Sequence, residues 1–411
     1  MISQSSIIVP ELLAPAGDLE KLSFAFSYGA DAVYAGASKY SLRADSGLSL
    51  NDIEQGIGLA RRLGKRFYLA LNAFMRDDDL RTLPAYLEQV ASLAPDAFIV
   101  SDPGVFRLCK RYAPNVALHI STQSNNMNAE TLRFWADLGA SRVVLSRELS
   151  IEQAAETVAG AGIESEIFIH GAICISYSGR CLISSYLTSR SANSGDCAQP
   201  CRWRYALSEE KRPGEFFPIE EDERGSYFFN SRDLCLLPYL PHLIGGRFTS
   251  WKIEGRNKSA YYVANVVRIY REALNSYLKE PGNWLCRSEW LQELEKVSHR
   301  QYTSNFAISQ PDADSYRYFD GQPVRNYDFA AVALSWDNGL LKLEQRNHIV
   351  PGDEIEVLLP DGGLWTITVK EIFDEEGRRI ASANHPRQFF FIPCTPPPAI
   401  QLPLICRRVA R

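Results

Sequence analysis

Eight short apolar runs recur between Glu11 and Arg256, and most are followed by a polar turn and a stretch with helical spacing. The runs are ELLAPAG from Glu11, DAVYAGA from Asp31, RFYLALN from Arg66, AFIVSDP from Ala97, ALHISTQ from Ala117, RVVLSRE from Arg142, EIFIHGA from Glu166 and SWKIEGR from Ser250. Intervening segments such as NDIEQGIGLARRLG carry apolar residues at helical spacing and end in Gly or small residues. Eight strand–helix units predict an α/β fold, a TIM-like (β/α)8 barrel, with a doubly wound sheet as the alternative.

The composition of the chain changes near its C-terminal quarter. From Asp328 onward, alternating apolar residues are interrupted by Asp-Asn-Gly, Pro-Gly-Asp and Asp-Gly-Gly turns, which is typical of short antiparallel strands. We therefore predict two domains, a barrel over residues 8–310 that carries a cysteine loop at 170–204, and a small β-barrel over 325–411. The second domain either presents a nucleic-acid surface or caps the first, because fold alone does not give function.

Four cysteines lie in one loop-rich window, at Cys174, Cys181, Cys197 and Cys201, with the spacing C-x6-C-x15-C-x3-C. Ser, Gly and Asn between them leave the backbone free to wrap around a metal centre. Structural zinc sites usually bring two knuckles of short C-x2–4-C spacing, and only the last pair has it. The spacing therefore favours an iron–sulfur cluster, while zinc stays open.

The other five cysteines are scattered among apolar neighbours and are typical of small buried hydrophobic residues: Cys109, Cys235, Cys286, Cys394 and Cys406. The opening MISQSSIIVPELLAPAG lacks the features of a signal peptide, so we expect a reducing cytoplasm and no disulfides. No apolar run is long enough for a membrane span. The net charge of −5 means that any RNA contact needs a local basic patch.

In a (β/α)8 barrel the chemistry takes place at the carboxyl ends of the strands, and those ends are polar here. Arg43, Arg147, Lys252 and Arg256 lie just beyond strand ends, where guanidinium or ammonium groups can bind anions or pair with local carboxylates. The cysteine loop follows the seventh strand directly, so a metal centre held by it would lie over the barrel mouth.

Several longer motifs give the chain a family resemblance. ELLAPAG, GADAVYAG, YSLR, HGAICISYSGRCLISSY, CRWRY, WKIEGR and HRQYTSNF together resemble peptidase family U32 (collagenase-like), nearest to its branch of tRNA uridine hydroxylation proteins (TrhP type). The resemblance spans nearly the whole chain. It implies formation of 5-hydroxyuridine at the wobble position of tRNA, a cysteine-bound iron–sulfur cluster of the 4Fe–4S type, and a requirement for prephenate. It also implies a paralogous or homo-oligomeric partner.

The resemblance leaves the fourth cluster ligand between two cysteines. Relatives acting on ubiquinone precursors match Cys174, Cys181 and Cys197 and take the fourth ligand from further downstream, which makes Cys235 a rival. We prefer Cys201, because the CRW pattern retains it and the local loop can close with it.

The hydroxylation chemistry suggests roles for the remaining candidates. Prephenate is a dicarboxylate, so the cations at the strand ends are its predicted ligands. An unstacked uridine needs aromatic planes, and Tyr177 and Trp203 share the loop with the cysteines. His170 and Tyr177 are the candidate catalytic residues, with hydrogen bonding to a cluster ligand as the other role for His170.

Phosphate contacts are predicted at basic residues of the loop, the barrel end and the C-terminus, namely Arg202, Arg204, Lys258, Arg407, Arg408 and Arg411. The alternatives are a U32-type peptidase or a non-catalytic partner in such an assembly. The chain has no HExxH and no G-x-S-x-G motif, which argues against the peptidase. His119 and His170 stand on separate strands. Four clustered thiols favour metal binding over a nucleophilic Cys174–His170 pair.

Overall fold

The computed structural model describes residues 7–42, 47–173, 183–188, 190, 198, 206–208, 216–218, 220–222, 225–227, 232–308, 324–398 and 400–410. The chain divides into two compact units. The first comprises residues 1–26, 30–257 and 300–322, and the second comprises 27–29, 258–299 and 323–411. The predicted domain boundaries, 8–310 and 325–411, stay a prediction. Residues 258–299 belong to the second unit, together with the C-terminal residues.

Eight parallel strands form the barrel of the first unit. They are β1 (Glu11–Pro15), β2 (Ala32–Ala37), β3 (Arg66–Leu71), β4 (Ala97–Val100), β5 (Ala117–Ile120), β6 (Arg142–Val144), β7 (Glu164–Ala172) and β8 (Ser250–Ile253). Each pairs with the next in parallel, and β8 pairs with both β7 and β1, which closes the sheet. All eight predicted strands are confirmed, as is the TIM-like barrel.

Helices follow the strands at the predicted places. They are α1 (Leu19–Ser27), α2 (Leu50–Arg62), α3 (Asp77–Leu93), α4 (Pro103–Tyr112), α5 (Ala129–Asp137) and α6 (Ile151–Val158), with short helices at Ile183–Thr188 and Leu240–Gly245. Their first residues are fixed by side-chain caps. Ser49 and Ser150 form capping boxes with Asp52 and Gln153, and Asp102 caps α4 just before Pro103. Such caps satisfy backbone N–H groups that the first helical turn leaves unpaired.

Short strands extend the barrel sheet beyond its eight members. Asp233–Cys235 pairs antiparallel with the end of β7, and Tyr302–Thr303 pairs with it in parallel. Arg300 holds the strand Asp233–Cys235 in place, because its Nε and Nη2 donate to Asp233 Oδ1 at 3.0 and 2.7 Å. Gly47–Leu48 pairs with β2. Two-stranded pieces lie at Ala206–Ser208 with Phe216–Pro218 and at Glu220–Asp222 with Gly225–Tyr227.

The second unit combines an antiparallel sheet with two helices, α7 (Ala260–Lys279) and α8 (Ser288–Leu294). The strands are β9 (Tyr327–Asp337), β10 (Leu340–Gln345), β11 (Glu354–Leu358), β12 (Leu364–Thr368), β13 (Ile372–Phe373), β14 (Arg379–Ile380), β15 (Phe389–Pro393) and β16 (Leu404–Val409). Their order in the sheet is β12-β11-β16-β9-β10-β15-β13-β14. This confirms the antiparallel C-terminal domain that the turn pattern predicted.

Buried charges join α7 and α8 to this sheet. Arg407 donates to Glu293 at 2.8 and 2.9 Å and to Glu356 at 2.6 Å, and Arg268 also donates to Glu293. Burial raises the pKa of Glu293, but the hydrogen bonds and charge of Arg407 and the charge of Arg268 outweigh it, so the pKa is lowered to about 2.

The predicted phosphate contacts of two C-terminal arginines are wrong. Arg407 is fully buried in the cluster just described, and Arg408 is buried against Asp328 at 3.3 Å. The two are consecutive buried residues on an inner strand, β16, where each guanidinium must pair internally. The scattered cysteines agree with their prediction, since Cys109, Cys235 and Cys406 are buried and Cys286 and Cys394 are partly buried.

Candidate active site at the barrel mouth

The interior of the barrel carries a charged network in place of a wholly apolar core. Arg142 of β6 is 2% exposed, and its guanidinium donates to Glu11 at 2.7 Å, Glu164 at 2.8 and 2.9 Å, and Glu166 at 3.4 Å. Burial lowers the pKa of Arg142, but the charges of Glu166 and Glu11 outweigh it, so the net pKa is raised. Arg142 is therefore a permanent cation at the centre of three carboxylates.

Sequence reasoning missed this network. Its signal was a charged residue inside each of several apolar runs, at Glu11, Arg142, Glu166 and Lys252. Buried charges occur in proteins when they are paired, so four such residues on four strands indicate a shared interior site. Tyr68 extends the network, because its hydroxyl donates to Glu11 Oε2 at 2.6 Å.

Lys252 links the network to the upper part of the barrel. Its ammonium donates to Glu166 Oε1 at 2.7 Å and lies 4.3 Å from the centroid of the Tyr34 ring. The Tyr34 hydroxyl in turn donates to Glu254 Oε2 at 2.9 Å. Lys252 thus has a buried internal counter-ion, and a role in binding an anionic substrate would have to compete with Glu166.

His119 points into the same interior. The imidazole packs edge-on against Tyr68, with 4.7 Å between centroids, and its Nδ1 has no hydrogen-bond partner within the described residues. Burial, and then the charges of Arg142, Lys252 and Arg66, lower the pKa of His119 well below its usual value. The ring is therefore neutral at physiological pH, a hydrogen-bonding group without charge.

Arg147 offers the most accessible guanidinium among the described candidates. It stacks on the Phe168 ring at 3.8 Å, and its Nη1 donates to the carbonyl of Ala172, the last residue of β7, at 2.9 Å. Its Nε is buried without a partner among the described residues. A cavity of about 20 Å³ adjoins it, lined in part by Ser146, Ile173 and Asn305, with room for about one water molecule.

Arg256 holds the turn that leads to Arg43. Its Nη2 donates to the carbonyl of Leu42 at 2.6 Å, and the amide of Leu42 donates to Asn72 Oδ1 at 3.3 Å. The approach is close, because a Cβ at Gly36 would collide with the Arg256 guanidinium. Arg256 is buried, so the structure gives it a positioning contact beside the mouth, while Arg43 itself lies outside the described residues.

His170 lies near the end of β7, where the cysteine segment begins. It is buried, its ring centroid is 5.1 Å from that of Tyr302, and it is the direct antiparallel partner of Cys235. Its carbonyl accepts a bond from the Glu254 amide at 2.8 Å. The structure therefore brings His170, Cys235 and Glu254 together at one edge of the mouth.

The remaining predicted site residues lie outside the described part of the chain: Cys174, Tyr177, Cys181, Cys197, Cys201 and Trp203. Within the described ranges, no group of three or more His, Cys, Asp and Glu side chains is arranged to hold a metal ion. The assignment of the cysteines as metal ligands therefore stays a prediction. Cys235 lies beside the end of β7, where the cysteine segment begins.

These features define the class of protein: a (β/α)8 barrel with a charged interior and a separate antiparallel C-terminal domain. The chain belongs to peptidase family U32. The model of this family matches residues 17–317, and the model of the peptidase family U32 C-terminal domain matches residues 325–405.

Three curated relatives are similar over long stretches. "tRNA hydroxylation protein P1" of Bacillus subtilis (strain 168) is 37% identical, covering 92% of this chain and 90% of its own length. "tRNA hydroxylation protein P" of Escherichia coli (strain K12) is 34% identical, with 91% of each chain covered. "23S rRNA 5-hydroxycytidine C2501 synthase" of the same organism is 34% identical over 72% of this chain and 45% of its own length.

No helix in the described ranges is long and apolar enough to cross a membrane.

Proposed function

We propose that the protein hydroxylates uridine at the wobble position of tRNA, giving 5-hydroxyuridine, and that it works in the cytoplasm. The observation that carries the proposal is the likeness to tRNA hydroxylation protein P1, which covers nine-tenths of both chains and therefore includes both units. The rRNA 5-hydroxycytidine synthase adds a relative named for hydroxylation of another pyrimidine.

An anionic co-substrate, prephenate, is proposed to bind at Arg147. Planar guanidinium groups bind carboxylates through paired N–H donors, and the Nε of Arg147 has no hydrogen-bond partner among the described residues. Phe168 fixes the plane of the guanidinium, which reduces the entropy lost on binding. Arg43 is proposed for the second carboxylate. Lys252 and Arg256 are weaker candidates, because Lys252 donates to Glu166 and Arg256 donates to the carbonyl of Leu42.

An iron–sulfur cluster is proposed on Cys174, Cys181 and Cys197, with Cys201 or Cys235 as the fourth ligand. Cys235 supports a site at the mouth, because this buried thiol faces His170 where β7 leads into the cysteine segment. A cluster held there would supply one-electron redox chemistry. At the end of β7, His170 can hold or move a proton, and Arg147 can orient an anion.

The peptidase alternative gains no support from the described residues. A protease needs a nucleophile beside a base or a metal-bound water, and no such motif is present in the sequence: it has neither HExxH nor G-x-S-x-G. We expect purified protein to leave gelatin and casein intact. Cleavage that disappears in Cys174→Ala or His170→Ala would support the peptidase.

The proposed function is tested by mass spectrometry of tRNA nucleosides from a strain lacking the gene. We expect 5-hydroxyuridine and its derivatives to be lost and then restored by the wild-type chain, but not by Cys174→Ser. Exposed Arg133→Met serves as the matched variant that should restore modification fully. Unchanged wobble uridine chemistry in the deletion strain would refute the proposal.

A further inference from the structure

Two phenylalanines face outward from the C-terminal sheet. Strand β15 reads FFFIP, and Phe390 and Ile392 are fully buried whereas Phe389 and Phe391 are only partly covered. Side chains alternate between the two faces of a strand, so Phe389 and Phe391 share the outer face. Large aromatic rings on an outer face cost hydrophobic stabilisation unless they contact something.

The register aligns these rings with cations across four neighbouring strands. Phe391 pairs directly with Lys342 of β10 on one side and with Phe373 of β13 on the other, and Phe373 pairs with Arg379 of β14. Directly paired residues lie on the same face. We call Lys342, Phe391, Phe373 and Arg379, together with Phe389, the aromatic row.

The dimensions of the aromatic row follow from sheet geometry. With neighbouring strands about 4.8 Å apart, its two cationic ends are separated by about 14 Å, with two rings between them. The Lys342 ammonium lies 4.5 Å from the Phe389 centroid and 5.8 Å from the Phe391 centroid. The ammonium therefore lies nearest to Phe389, and Phe391 and Phe373 remain as surfaces on which bases can stack.

Within the described residues, both cations of the aromatic row form ion pairs with exposed carboxylates. Lys342 is 3.9 Å from Glu375, and Arg379 is 3.1 Å from Glu371; Glu375 is 58% exposed and Arg379 is 65% exposed. Exposed ion pairs contribute little to stability and are screened by salt. A phosphodiester can therefore replace either carboxylate at small cost.

We propose that the aromatic row binds unpaired nucleotides of the RNA substrate, with bases stacked on Phe391 and Phe373 and phosphates near Lys342 and Arg379. Sheets that recognise single-stranded RNA use aromatic residues on neighbouring strands to stack two or three bases, with cations along the backbone path. This inference rests on the proposed function for the choice of RNA. The charged ends favour RNA over an apolar protein partner.

The test compares two probes of equal length and charge, a short oligouridylate and the corresponding abasic oligonucleotide, by fluorescence anisotropy with the full chain. Phe391→Leu keeps apolar volume but loses the ring. We expect it to weaken oligouridylate binding about five- to hundredfold, as for loss of one stacked base, and to leave abasic binding unchanged. Phe391→Tyr and the exposed control Leu364→Ala should bind both probes like wild type.

Equal binding of oligouridylate by wild type and Phe391→Leu would overturn the inference, as would equal losses for both probes. A dimer in size-exclusion chromatography that Phe391→Leu dissociates would instead make this face a contact between two copies. Nucleoside analysis separates the two proposals. If the deletion strain loses 5-hydroxyuridine but Phe391→Leu binds oligouridylate normally, the role of the aromatic row is refuted and the proposed function stands. If the deletion strain keeps 5-hydroxyuridine while Phe391 remains necessary for binding, the proposed function is refuted and the role of the aromatic row stands.

Discussion

Replacing Arg142 by methionine tests whether the barrel depends on its charged interior. The substitution keeps most of the side-chain volume but removes the guanidinium that bonds to Glu11, Glu164 and Glu166. Glu166 is fully buried, and in the variant Lys252 is the one cation among the described residues that still bonds to its carboxylate. Glu11 keeps Arg66 at 3.1 Å and the Tyr68 hydroxyl at 2.6 Å.

The magnitude follows from how much of each partner is buried. Removing one member of a buried ion pair costs about 3–5 kcal/mol, because it leaves an uncompensated charge. Glu164 is 51% exposed and adds at most about 1 kcal/mol. We expect Arg142→Met to lower the free energy of unfolding by about 3–5 kcal/mol in a urea titration followed by circular dichroism.

The matched control is Arg133→Met, which makes the same change in an ion pair with Glu130 whose members are 46% and 84% exposed. It should cost about 0.5 kcal/mol or less. An Arg142→Met variant that loses no more stability than Arg133→Met would refute this account of the charged interior.

Three further predictions concern other parts of the molecule. The pKa of Glu293, lowered from 4.5 to about 2, contributes stability that is lost as the pH falls between those values; Glu293→Gln should flatten this acid transition, measured by circular dichroism. Cys201→Ser and Cys235→Ser, analysed for iron and sulfide, should differ, with the variant that keeps its cluster marking a cysteine that is not a ligand. Arg147→Lys should weaken donor binding roughly ten- to hundredfold while iron content persists, and normal modification would remove Arg147 from the site.

The barrel could be predicted because each strand is a short apolar run that ends in polar residues, which is local information. The charged interior could not be predicted in the same way, because the partners of Arg142 come from other strands, with Glu166 24 residues away and Glu11 131 residues away in the chain. Arg407 shows the reverse case. Its position near the C-terminus suggested a free cation, but the tertiary fold brings Glu293 of α8 to its guanidinium. The place of Arg147 after a strand end is visible in the sequence, whereas its stacking on Phe168 depends on tertiary structure.

The chain leaves the barrel at Ala172 and returns at Asp233, and these two residues are direct partners in the sheet. The two ends of the intervening segment therefore lie side by side at one place in the barrel sheet, where Arg300 binds Asp233 on the returning side. The entropy of closing a loop rises only with the logarithm of its length, about 0.6 kcal/mol for each doubling. Evolution can consequently lengthen, shorten or exchange this segment with little effect on the stability of the barrel, so that one scaffold can acquire new substrates through changes confined to one insertion.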